Sequence, residues 1–109
     1  MRESELRAQI CDALNSVGFF AFEVQAECRN RYTGAAGAPR GTPDIRVEPV
    51  GWIEVGDAKR KARDQQHQLD MHRRIRAAGG RVALLPTRPE SVKEAVRIAL
   101  EWRAEQKGK

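Results

Sequence analysis

Two short segments, DIRVE (44–48) and WIEVGDAK (52–59), alternate apolar and polar residues and are rich in β-branched side chains, as half-buried strands are. They are joined through Pro49, Val50 and Gly51, which predicts a β-hairpin. Glu48-Pro49-Val50-Gly51 suits a turn with proline second and glycine fourth. That turn pairs Glu48 with Gly51 and places Asp44 opposite Val55. Side chains at i and i+2 share a strand face, so Asp57 and Lys59 point the same way, and Asp44 lies diagonally from Asp57 at about 7–8 Å between Cα atoms. In this register Glu54 stands opposite Ile45 and projects from the other face. The hairpin is expected to gather two carboxylates and a lysine.

The other elements follow from periodicity. In residues 3–17, Leu6, Ile10, Leu14 and Val17 recur at helical spacing, and Gly18 is a natural stop. FFAFEVQAE (19–27) reads as a strand. Residues 28–43 are basic and rich in glycine, with two prolines, and predict a long loop. A second helix spans 62–78, with Leu69, His72, Ile75 and Arg76 along one face and Gly79-Gly80 ending it. RVALLP (81–86) is a short buried strand. A last helix runs from about Glu90 to Glu105, with Val92, Val96, Ala99, Leu100 and Trp102 inward. The order is α-β-β-β-α-β-α, an α/β domain with no repeat and no linker. At 109 residues the chain is expected to be one domain with a modest core.

Lys and Arg outnumber Asp and Glu by 20 to 15, a net charge of +5 that suits a polyanionic partner such as nucleic acid. Cys11 and Cys28 form no CxxC and no zinc-like spacing, which fits reduced thiols and a cytoplasmic setting. The N-terminus is charged where a signal peptide needs an apolar run. No stretch approaches the roughly 20 apolar residues of a membrane span.

Two carboxylates side by side repel when both are ionised, unless a cation or a proton intervenes. Oxygen ligands favour hard ions such as Mg²⁺, which takes one or two carboxylates, water and phosphate. A neighbouring lysine can hold or polarise a water that attacks phosphorus. Metal-assisted phosphodiester hydrolysis is a chemistry these groups can perform. The plain alternative is a surface hairpin carrying a solvated Asp–Lys pair.

TPD, followed thirteen residues later by DAK, resembles the signature of the PD-(D/E)xK nuclease superfamily. Over residues 3–86 the chain resembles its VRR-NUC branch in stand-alone, virus-type form. RESELRAQICDALNSVGFFAFEV is similar to that branch's opening helix and strand, RGTPDIRV to its metal-binding strand, and QLDMHRRIRAAGGRVALL to its following helix and strand. The resemblance implies a restriction-endonuclease-like core, a mixed sheet flanked by helices. It implies Asp44 and Asp57 as ligands of Mg²⁺ or Mn²⁺, with the backbone carbonyl of Ala58 as a further ligand. Lys59 would orient the nucleophilic water, Glu3 would complete the site through a metal-bound water, and Gln68 would stand near the lysine. It further implies a homodimer acting on branched DNA such as a Holliday junction, in the cytoplasm or, for a virus, the host cytoplasm.

The chain departs from the family pattern in carrying Asp rather than Glu in D-x-K. It also holds a competing acid: Glu54 stands in IEVG, where Gly56 replaces the lysine. Strand parity favours Asp57.

Arg29, Arg31, Arg40, Arg60, Lys61 and Arg63 flank the expected site and are candidate phosphate contacts, against the alternative of a solvated charge run. Tyr32 is a weaker candidate for stacking on a base. His67 and His72 are better read as one solvated and one packed residue, and Trp52 and Trp102 as core or interface. Two rivals to a DNA endonuclease remain: a non-catalytic DNA-binding module on a nuclease scaffold, and a partner-binding domain whose basic surface is incidental.

Overall fold

The structure is a computed structural model that describes residues 2–24, 43–56 and 62–108, with 62–65 described in backbone only. The elements appear in the expected order: α1 (Glu3–Ser16), β1 (Phe20–Glu23), β2 (Ile45–Glu48), β3 (Gly51–Val55), α2 (Ala62–Ala77), β4 (Val82–Leu85) and α3 (Ser91–Lys107). They build a mixed four-stranded sheet in the order β1-β2-β3-β4, with three antiparallel strands and β4 parallel to β3.

The two faces of the sheet differ in kind. Ala21, Ile45, Val47, Ile53, Val55 and Leu85 point to one face and are buried with Leu6, Ile10 and Leu14 of α1 and Ala95 and Ala99 of α3. Alternation sends Phe20, Phe22, Asp44, Arg46, Trp52, Glu54 and Leu84 to the opposite face. There α2 lies over β3 and β4, as Gln68 donating to Glu54 and Arg76 donating to the carbonyl of Val82 require. Helices therefore flank the sheet on both sides.

Several side chains depart from their expected places. Val17 lies just past the end of α1 and is exposed, and Gly18 takes the turn with φ +99. Leu100, expected inward, is exposed, and Leu69, expected on one face of α2 with His72, is exposed while His72 is buried. The rest of the expected α3 stripe holds: Ala99 is buried and Val92, Val96 and Trp102 pack partly buried against the core, while Ser91 and Ala95 join Ala99 as the buried positions where small residues let the helix lie close. Ser91 is fixed there by donating its hydroxyl to the carbonyl of Pro86 at 2.6 Å.

The hairpin turn also differs. It closes one residue early, with Val50 N–H donating to the carbonyl of Val47 at 2.9 Å around a cis Glu48-Pro49 bond. Val47 consequently faces Gly51, Arg46 faces Trp52 and Ile45 faces Ile53. This register matches apolar with apolar on the core face, which the expected pairing of Glu48 with Gly51 does not.

Gly51 is buried where the hairpin meets α3. A Cβ added there would stand 2.7 Å from the carbonyl oxygen of Arg81 and 2.8 Å from the Trp102 ring. Trp102, half-buried against the core, is thus a packing residue that holds α3 on the hairpin. Gly51→Ala should destabilise the fold by about 1–3 kcal/mol, the usual cost of overpacking, measured by urea denaturation. Gly79→Ala is no suitable control, because φ is +88 there.

His72 supplies a second test. Its ring is 7% exposed, and Nε2 has no hydrogen-bond partner among the described residues. Burial, and secondarily the charge of Arg76, hold its pKa below the usual histidine value. The unfolded chain therefore binds this proton more readily than the folded one. Stability should be insensitive to His72 well above pH 6.5 and fall as the pH drops below it, by at most about 1.4 kcal/mol per pH unit. His72→Leu should remove that slope in thermal melts between pH 7.5 and 5; an unchanged slope would assign it to other groups.

Candidate functional site

The shifted register moves the candidate site. Extending the pairing of Ile45 with Ile53 by one residue puts Asp44 opposite Glu54, on the same face of the sheet. Glu54, expected on the other face, is therefore the described acid beside Asp44. The backbone N–H of Asp44 donates to Glu54 Oε2 at 3.1 Å, and the N–H of Val55 donates to Asp44 Oδ2 at 2.9 Å. The side-chain amide of Gln68 reaches down from α2 and donates to Glu54 Oε1 at 2.7 Å. Gln68 is thus placed at the site, one helical turn before the buried His72 on the same face of α2.

Glu54 is 1% exposed, an unusual place for a carboxyl group. Burying such a group is costly unless its oxygens are hydrogen-bonded. Here one oxygen accepts from β2 and the other from α2, so the acid ties strand and helix together. Asp44 is half-buried, and its carbonyl accepts from Val24 N–H at 2.7 Å, which fixes the start of β2 beside the end of β1.

A second charged group borders this pair. Arg7 of α1 donates to Glu23 Oε1 at 2.9 Å and to Glu3 Oε1 at 3.0 Å. Burial alone would lower the pKa of Arg7, yet the hydrogen bond to Glu23 and the charges of Asp44, Glu23 and Glu3 together raise it. Arg7 thus links Glu3 electrostatically to Asp44. Glu3 is brought to this corner of the molecule, where it is engaged as an ion-pair partner of Arg7. Neither Arg7 nor Glu23 was singled out from the sequence; the four-residue spacing of Glu3 and Arg7 on one helix was the available signal.

Asp57, Ala58, Lys59, Arg60 and Lys61 lie outside the described residues, as do Arg29, Arg31, Tyr32 and Arg40; Arg63 is in the first turn of α2, its side chain outside the description. Strand β3, expected to run to Lys59, ends at Val55, with Gly56 N–H still donating to the carbonyl of Leu85. The second thiol, Cys28, is also outside the described residues. Cys11 is buried in the core, and burial pushes its thiol up to about 11, which makes it an unreactive packing residue at neutral pH.

Among the described residues, no group of three or more His, Cys, Asp or Glu side chains stands close enough to hold a metal. The pair Asp44 and Glu54 offers two carboxylates on one face, a donor set of hard oxygens that suits Mg²⁺ or Mn²⁺ supplemented by water or phosphate. No helix among the described residues is long and apolar enough to cross a membrane. In comparisons with known proteins, the chain matches no family model, no curated protein and no solved structure.

Proposed function

We propose that this chain is a metal-dependent DNA endonuclease with a restriction-endonuclease-like core of the VRR-NUC kind. The observation that carries the reading is the pairing of Asp44 with the buried Glu54 under Gln68. A sheet face that invests a buried carboxyl group beside a second acid is costly for stability and sensible for binding a cation. In this reading Asp44 and Glu54 hold Mg²⁺ or Mn²⁺. The bound ion would neutralise charge on the phosphate and activate a water for attack on phosphorus.

The chain's own residues have distinct parts. Gln68 orients the Glu54 carboxyl group from α2, and Val55 N–H orients that of Asp44. Arg7 balances the acids Glu3 and Glu23 beside the pair. Lys59 is the proposed lysine that holds the attacking water, and Asp57 with the Ala58 carbonyl are further proposed ligands. Arg29, Arg31, Arg40, Arg60, Lys61 and Arg63 are proposed phosphate contacts, consistent with a net charge of +5. Branched DNA as the preferred substrate and a homodimer as the active form complete the proposal by analogy.

One feature favours a second reading, a DNA-binding module without catalysis. Two residues after Glu54 stands Gly56, where a lysine would complete E-x-K. Cleavage assays with Mg²⁺ and Mn²⁺ on junction, flap, duplex and single-stranded DNA separate the two. Metal-dependent cleavage that Lys59→Ala removes while binding is spared supports the nuclease. Binding without cleavage on any substrate supports the module.

Site membership is tested separately. Asp44→Asn and Glu54→Gln should each lower cleavage by about two orders of magnitude or more, the scale of losing a group that stabilises transition-state charge. At a metal concentration of about 100 Kd, binding should stabilise the wild type by about 2.7 kcal/mol, read as a rise in Tm of about 10 °C. Both variants should lose that rise. If Asp57→Asn abolishes it and Glu54→Gln leaves it intact, the metal belongs to Asp57 and Glu54 is a structural acid.

A further inference from the structure

The face that carries Asp44 and Glu54 also carries aromatic rings that no described element covers. On β1, Phe20 is 64% and Phe22 40% exposed, with ring centroids 5.2 Å apart at 45°. Phe22 pairs with Arg46, and Arg46 with Trp52, so the three form one row across the sheet. Within that row the Arg46 guanidinium lies 4.9 Å from the centre of the Trp52 ring. Arg46 also donates to Glu48 at 2.8 Å and to the Gly51 carbonyl at 3.2 Å, which holds the guanidinium in place. The row of Asp44 and Glu54 comes next, two residues along the strands, or about 7 Å away.

An open face on an edge strand ordinarily carries polar residues, since exposed apolar side chains beside an edge invite aggregation. Two phenylalanines there need an occupant. We propose that Phe20, Phe22 and the stacked Arg46 form a platform on which unpaired nucleotides of the substrate stack, beside the carboxylate pair. This rests on the proposed nuclease reading and adds to it a substrate class: DNA with a single-stranded segment next to the scissile phosphate. Aromatic rings and guanidinium planes are the surfaces on which splayed bases stack.

Two observations favour bases over a second protein surface. Glu48 stands in the row of Phe20, and glutamate is depleted at protein interfaces. The free edge of β1 is also occupied at its centre. Asn15 of α1 donates to the Ala21 carbonyl at 3.0 Å and accepts from the Ala21 N–H at 2.9 Å. A second copy cannot add a strand there without displacing it.

The test is equilibrium binding of fluorescein-labelled oligothymidylate and of a blunt duplex to the full chain, without added divalent metal. Phe20→Ala and Phe22→Ala should each weaken oligothymidylate binding about tenfold, change duplex binding less than about threefold, and keep the wild-type Tm. Phe22→Trp should retain single-strand binding and Phe22→Leu should not, which separates stacking from apolar packing. The platform is overturned by equal losses on both DNAs, by no loss, or by a wild type that does not bind oligothymidylate. It is also overturned if wild type sediments as a dimer and the double alanine variant as a monomer, because the rings then cover a second copy. Cleavage assays keep the two readings apart. Ring-dependent binding without metal-dependent cleavage removes the nuclease alone; cleavage lost in Glu54→Gln but untouched in the phenylalanine variants removes the platform alone.

Discussion

The pairing of β2 with β3 sets everything else on this molecule. With Val47 facing Gly51 and Ile45 facing Ile53, the aliphatic side chains Ile45, Val47, Ile53 and Val55 of the hairpin go to the face covered by α1 and α3. The opposite face is left with Asp44, Arg46, Trp52 and Glu54. A slip of one residue would exchange these sets and put acids into the core. The register is held by the Val50-to-Val47 hydrogen bond in the turn and by the absence of a Cβ at Gly51, against which Trp102 packs. The C-terminal helix is therefore part of what positions the carboxylates, although it contributes no group to them.

The same pairing explains how a domain this small tolerates a buried carboxyl group. Glu54 gains a backbone donor from β2 and an amide donor from α2, so its oxygens are met from two directions. Gln68 and His72 stand one turn apart on α2, the first polar and bonded, the second buried and without a partner for Nε2 among the described residues. One face of this helix thus carries both the contact that steadies the acid and a group that resists protonation. Docking of α2 and the geometry of the proposed metal site are coupled through that face.

Much of this was legible in the sequence. Periodicity gave all seven elements in order, and Leu6, Ile10 and Leu14 were placed correctly in the core. The observed register differs from the expected one because turn chemistry and hydrophobic pattern point to different pairings in this hairpin. Pro49 and Gly51 suggested a turn ending at Gly51, whereas Ile45, Val47, Ile53 and Val55 already required one shared face. Reading those four together would have set Glu54 beside Asp44. Helical spacing alone points Leu100 inward, but its exposure depends on how near α3 approaches its neighbours, which the spacing does not state. The ion pair of Arg7 with Glu23 depends on β1 lying beside α1, which no local pattern states.

The bond from Val24 N–H to the carbonyl of Asp44 joins the end of β1 to the start of β2. The connection between those residues begins and ends at one backbone hydrogen bond. The entropy of closing a loop grows only with the logarithm of its length, about 0.6 kcal/mol per doubling. Chain can therefore be added to or taken from that connection at small cost, while the hydrogen bond holds the backbone of Asp44. A change in the length of that connection can leave the Asp44 carboxylate where it is.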